Sequence, residues 1–242
     1  MGESWVYNVV MNFIGNGIAQ AFSMLVHGDR QVLQIVLLSL AVSGMATLLS
    51  LFVGIPIGVA LGLNRFPGRR FFVTLVNTGM GAPPVVVGLV VTLFVWRNGP
   101  LGFLHILYTP AAMILAQFVI AMPLISGFTM AGIQQLDPKL RLQIQALGAS
   151  RTQMVGMLLL EARLPLLAAI MAGFGAVISE VGASMMVGGN ILGQTRVMTT
   201  AIVGEVSKGD FSIAIALSLL LMILVFAVNL LLTMVQQRSK RS

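Results

Sequence analysis

Residues 145–165 read QALGASRTQMVGMLLLEARLP, a polar and basic interval in a chain that is otherwise mostly apolar. The punctuation in and around this interval is that of built structure. Asp137 followed by Pro138 is a helix start: an acidic N-cap accepts from the first turn, and proline at the first helical position loses a donor that had no partner anyway. Gly148 reads as the stop, because glycine adopts the left-handed cap conformation at least cost. Ser150 with Gln153 three residues later is a capping box for a second helix. The interval is therefore expected to be a helix, a tight turn and a helix, and two caps around one glycine favour a docking element over the alternative, a solvated loop.

Working outward, the chain of 242 residues is 57% hydrophobic and 9% charged, against about 25% charged in an ordinary soluble domain. Windows free of Asp, Glu, Lys and Arg run from Gln31 to Asn64, Phe71 to Trp96, Asn98 to Leu136 and Phe211 to Gln237. Each exceeds the roughly 20 apolar residues that a membrane span needs. The composition predicts an all-α integral membrane protein with spans at about Leu33–Leu63, Phe71–Trp96, Ala111–Ile133, Leu166–Val187 and Ile213–Met234. The first is long for one helix, and a tilt or kink near Gly54, Pro56, Gly58 and Gly62 is expected to absorb the excess. Pro83 and Pro84 are expected to break the second at its centre. Ahead of them Asn8, Asn12, Asn16 and Gln20 recur at helical period, which suits a helix lying in the outer interface over residues 1–32, with a sixth span as the rival. The first residues lack a basic run, so a cleaved leader is not expected.

The formal net charge of +7 is informative through its distribution. Residues 65–70, 139–163 and the tail from 238 hold ten of the fourteen basic residues and sum, with Asp137 and Glu161, to +8, while the remainder sums to −1. Basic connections stay in the cytoplasm. Five spans, an outside N-terminus, a cytoplasmic loop over residues 136–166 and a cytoplasmic C-terminus follow, within a single transmembrane domain over residues 1–242. No nucleic-acid partner is expected: the positive charge belongs to membrane topology, and the partner surface is lipid.

ALGAS (Ala146 to Ser150), with Pro165 seventeen residues beyond its glycine, resembles the coupling loop of membrane subunits of ABC importers. ISEVGASMMVGGNILGQTRVMTTAIVGEVSKGD (Ile178 to Asp210) is similar to the corresponding region of the oxyanion branch, whose permeases carry molybdate, tungstate or sulfate. The wording GGN, TR, TTAI and SKGD, with FPGRR (Phe66 to Arg70) and APPVVVGL (Ala82 to Leu89), is most similar to tungstate-specific permeases. At the family's Glu-Ala-Ala positions stand Leu142, Gln143 and Ile144, and Glu161 stands where a proline is usual. The resemblance implies the type I ABC importer fold in the cytoplasmic membrane of a bacterium or archaeon. It also implies a homodimer, two cytoplasmic ABC ATPases and an extracytoplasmic oxyanion-binding protein. Ala146, Leu147, Gly148, Ala149, Ser150 and Pro165 would couple to the ATPases, which would bind ATP and Mg²⁺, with no cofactor on this chain. It carries no G-x-x-x-x-G-K-[ST] run of its own.

Glu180 lies in an apolar stretch, where an ionisable group is expensive and faces a bundle interior or a cavity. It is a candidate gate residue, or a carboxylate tied to neighbouring donors. Gly182, Ser184, Gly188, Gly189, Asn190, Thr195, Thr199 and Thr200 offer hydroxyls, amides and bare backbone N–H groups without paired cations. That chemistry suits brief passage of a tetrahedral dianion. Close helix packing, for which small residues are the usual means in membranes, is the alternative. Arg196 is the one cation nearby, to steer anions or to anchor at headgroups. His27 and His105 stand far apart and the chain has no cysteine, so no metal site is expected. A secondary transporter or channel would have paired interrupted repeats, and an intramembrane enzyme a cluster of histidines and carboxylates; neither pattern is present.

Overall fold

The computed structural model describes residues 2–27 and 30–238, and its regular structure is helical throughout. The centre is a pair, α2 (Arg30–Leu63) and α5 (Pro110–Gln134). Gly54 faces Met122 and Ile125, Gly58 faces Ser126 and Thr129, and Gly62 faces Ile133, so residue numbers rise together and the two helices run parallel. A Cβ on Gly58 would lie 2.6 Å from the Ser126 carbonyl oxygen. The glycines that the sequence suggests as a kink are thus a seam one side chain deep, the close approach that small residues permit between membrane helices. Pro56 lies inside α2, which continues as one helix.

Parallel neighbours oblige the intervening chain to travel back along the full length of the bundle. It does so as α3 (Arg69–Met80) and α4 (Pro84–Val95), bent by 106° at the break. The expected interruption at Pro83 and Pro84 is therefore present. Val76 of α3 packs with Met130, Gly79 meets Pro123, and Val91 and Val95 of α4 join the buried cluster around Ala112, Met113 and Ala116. The chain thus climbs α5 from its last turns to its first.

Two short helices, α6 (Pro138–Ala146) and α7 (Arg151–Glu161), follow at the far end. Then α8 (Arg163–Ile178) runs antiparallel to α5, with Pro165 against Gly132 and Gly173 against Ile125. The sequence predicts one span from Leu166 to Val187. The structure instead ends α8 at Ile178 and resumes after Ser179–Val181 as α9 (Gly182–Gly188), which packs on α4 and reaches Met113 in the first turn of α5. The break owes nothing to proline: Glu180 turns back on the new helix.

Beyond Gly189 the chain dips inward again before α10 (Met198–Lys208), whose first N–H donates to Ser39 Oγ at 2.8 Å. Finally α11 (Phe211–Arg238) returns along the bundle. The first helix, α1 (Gly2–His27), leans on α11, with Phe13 on Phe211 and Gly17 against Ile215. Among the described residues, α2, α5 and α11 are each long and apolar enough to cross a membrane. Large apolar side chains such as Phe52, Leu93 and Phe226 face outward, as hydrocarbon permits and water does not.

Candidate functional site

The α6–α7 hairpin is built as its caps dictate. Asp137 accepts from Lys139 N at 2.8 Å, and Ser150 and Gln153 exchange both bonds of a capping box, at 2.8 and 3.3 Å. Gly148 has φ +78, and Ala149 N donates to Ile144 O while Gly148 N donates to Gln145 O. That is the six-to-one and five-to-two pattern that closes a helix on a left-handed glycine. Nothing lies within 4 Å of where a Gly148 Cβ would be, so the glycine is required by backbone angle alone.

The hairpin is fixed to the bundle through its inner face. Ile144, Met154, Leu158 and Ala162 are buried in one cluster with Val59 and Ile133, the last turns of α2 and α5. Two arginines close the end of α2: Arg69 Nε donates to Leu61 O at 2.8 Å and Arg141 Nη1 to Leu63 O at 2.9 Å. Cations on the orphan carbonyls of a helix C-terminus satisfy both the hydrogen bonds and the dipole. Sequence reading assigns these arginines to topology alone; for Arg141, a cap from a residue 78 positions away leaves no local signal. The opposite face stays bare. Leu147 is 83% exposed and Leu142 65%, on an otherwise polar tip. Ala146, Leu147, Gly148, Ala149 and Ser150 thus share one turn, whereas Pro165 sits apart at the start of α8.

The second group gathers at the α8–α9 break. Glu180 is buried, and its carboxylate accepts from Ala183 N at 2.7 Å, Ser184 N at 2.9 Å and Ser184 Oγ at 3.0 Å. Charge-assisted bonds of this kind to a helix's first N–H groups are strong. Its backbone oxygen accepts from Thr199 Oγ1 at 2.8 Å, and Gln117 of α5 donates to Ser184 Oγ at 3.3 Å. Gly182 is pressed against Val85 of α4. Glu180, Gly182, Ser184 and Thr199 therefore form one knot that ties α5, α8, α9 and α10.

Gly188, Gly189, Asn190 and Thr195 form a separate turn further out. Gly189 (φ +72) and Asn190 (φ +52) both take the left-handed conformation. Thr195 Oγ1 donates to Gly188 O and accepts from Ile191 N at 3.0 Å. Thr200 Oγ1 accepts from Val197 N and donates to Val197 O, each at 3.0 Å. Ser184, Thr195, Thr199 and Thr200 are all buried, with their hydroxyls spent inside the chain. The glycines meet neighbours closely: a Cβ on Gly188 would lie 2.8 Å from Met113 Sδ. In this arrangement the group is closely packed.

Comparison with known proteins bears on what such a bundle does. The family model for the binding-protein-dependent transport system inner membrane component matches residues 54–241. The tungstate uptake system permease protein TupB of Peptoclostridium acidaminophilum is 40% identical over 227 residues, covering 94% of this chain and all of that one. TupB of Campylobacter jejuni is 34% identical, covering 91% of this chain and 92% of its own. The molybdenum transport system permease protein ModB of Escherichia coli is 30% identical, covering 69% of this chain and 77% of its own. Among solved structures, a bacterial alginate ABC transporter chain superposes with a TM-score of 0.74 at 18% identity, covering 96% of this chain and 88% of that one. A chain of the MetNI methionine ABC transporter gives 0.70 at 21%, covering 87% and 94%. The fold is that of type I ABC importer permeases.

Proposed function

Because the chain belongs to the family of binding-protein-dependent transport system inner membrane components, we propose that it is the transmembrane permease subunit of an ATP-driven importer that carries tungstate into the cytoplasm. The observation that carries the substrate is the 40% identity to a tungstate permease along that protein's whole length, against 30% over three quarters of a molybdenum permease. The structural support is the capped α6–α7 hairpin, a stiff element with exposed leucines mounted on the ends of α2 and α5.

The working assembly has two copies of the chain, two cytoplasmic ABC ATPases that bind ATP and Mg²⁺, and an extracytoplasmic binding protein that delivers the anion. In this reading α2, α3–α4, α5, α8–α9 and α11 are five spans, α1 lies in the outer interface, and residues 64–68 and 135–162 face the cytoplasm with the C-terminus. ATP draws the ATPases together, and each carries a hairpin inward through the turn at Gly148. Since Ile144 and Leu158 share a core with Val59 and Ile133, the displacement passes to α2 and α5 as rigid bodies. The bend of 72° between α7 and α8 at Ala162 is where the hairpin turns into the bundle. The α9–α10 region, with Glu180 as its pin, is the gate that the movement opens. The pathway runs along this region, so the packed hydroxyls act by holding its shape.

The test is uptake. Cells deleted for this chain and complemented with it should recover tungstate accumulation, with molybdate and sulfate recovered less at equal concentration. The tagged chain should retain an ATPase on purification. Complementation without any oxyanion uptake refutes the reading.

A further inference from the structure

With the hydroxyls of the α9–α10 region spent within the chain, the polar groups free to meet an anion lie elsewhere. We propose that the groove between the outer third of α2 and residues 192–196 is a binding site for a tetrahedral oxyanion, with Arg196 supplying the charge. The inference rests on the permease reading and adds to it a place where the anion first meets this chain.

The groove is a cavity of about 390 Å³ lined by Gln31, Gln34, Leu38, Leu192, Gln194 and Arg196, among others. Since a water molecule's share of liquid is about 30 Å³, an oxyanion fits with part of its hydration shell. The cavity lies at the end of α2 remote from the α6–α7 hairpin, the end from which an imported anion arrives.

Arg196 is the unusual residue. Its side chain is 16% exposed, and the nearest carboxylate oxygen, Glu205 Oε1, is 3.9 Å from Nη1. That same oxygen is held by Lys208 Nζ at 2.7 Å. The Nε of Arg196 is buried with no acceptor among the described residues. A mostly buried guanidinium with one distant, shared counter-ion is costly by itself and is relieved by an anion. The side-chain amides of Gln34 and Gln194 make no bond to other described residues and add N–H donors on the same walls. The rest of the lining is largely aliphatic, so the field of the cation is poorly screened. One cation with carboxamides, instead of a cage of several, suits a site that must also release.

The experiment uses the full chain purified with its ATPase. Thermal shifts are recorded with tungstate, inorganic phosphate and short-chain phosphatidylglycerol for wild type, Arg196→Gln, Arg196→Lys and Gln34→Leu, and tungstate uptake is followed in proteoliposomes. We expect a saturable tungstate shift whose apparent affinity falls about tenfold in Arg196→Gln, the loss of one charge-assisted contact. It should be partly restored in Arg196→Lys and lowered in Gln34→Leu, an exposed position whose change leaves the fold intact. A shift by phosphatidylglycerol alone, sensitive to the same variants, assigns the oxyanion to a lipid headgroup. Binding and uptake by Arg196→Gln and Gln34→Leu equal to wild type overturn the site while leaving the permease reading standing. Failure of the wild type to transport any oxyanion overturns the permease reading instead.

Discussion

Glu180 shows how a charge is kept in an apolar stretch. Both carboxylate oxygens are occupied by donors within four residues, two of them the second and third backbone N–H groups of α9. Glu180→Gln keeps the size but presents an NH₂ to one of those donors. Hydrogen bonds to charged groups contribute about 1.5–3 kcal/mol each. The variant should therefore lose about 2 kcal/mol, read as a lower unfolding midpoint of the purified chain with both uptake and assembly reduced. Thr199→Val removes only the bond to Glu180 O at nearly constant volume. It should cost about 1 kcal/mol and leave uptake within about twofold; loss of uptake at full stability would make Thr199 a contact of the anion itself. At this scale the sequence is legible only in part. It marks Glu180 as an expensive residue that needs an interior place, because apolar flanks are visible in a string of letters. It cannot show that Thr195, Thr199 and Thr200 are consumed by backbone groups, since those pairings depend on how the turn after Gly189 folds back.

At the scale of elements, the α6–α7 hairpin is the most legible part of the molecule, because Asp137, Pro138, Gly148, Ser150 and Gln153 act on neighbours a few residues away. The α8–α9 break is the counter-example. No proline or polar run marks it, and the helix stops because Glu180 has a better use for its carboxylate three residues on. The seam of Gly54, Gly58 and Gly62 has the spacing of a packing face, yet the same letters read equally as a kink until Ser126 and Thr129 are placed opposite. Gly148→Val sets a β-branched residue at φ +78, a strain of about 1–3 kcal/mol with no clash to relieve. The cheapest escape is a different turn. We expect a chain that inserts and dimerises normally but transports at less than about a tenth of the wild-type rate, one order per 1.4 kcal/mol lost from the docked geometry. Full uptake together with normal ATPase retention would remove the turn from the coupling path.

For the whole molecule, charge distribution and parity work together. In the proposed topology the +8 against −1 division keeps the basic connections inside, and the parallel run of α2 and α5 demands a return passage between them, which α3 and α4 supply. The chain has no cysteine, so single thiols report cleanly: a cysteine at Arg69 should resist an impermeant reagent applied to intact cells and react after the membrane is opened. Labelling from outside would invert the topology. The five-span arrangement also predicts that a cysteine at Ser4 labels from outside; protection there would make α1 a sixth span. The order in which α2 and α5 occur along the chain has a further consequence during synthesis. When α2 leaves the ribosome its glycine groove has no occupant, and 46 residues separate Leu63 from the start of α5 at Pro110. Until α5 is inserted, the nascent chain presents a bare helical groove to lipid and to the insertion machinery. A chain cut short before residue 110 should therefore be less stable in the membrane than one carried through Gln134, because its glycine groove lacks the helix that fills it.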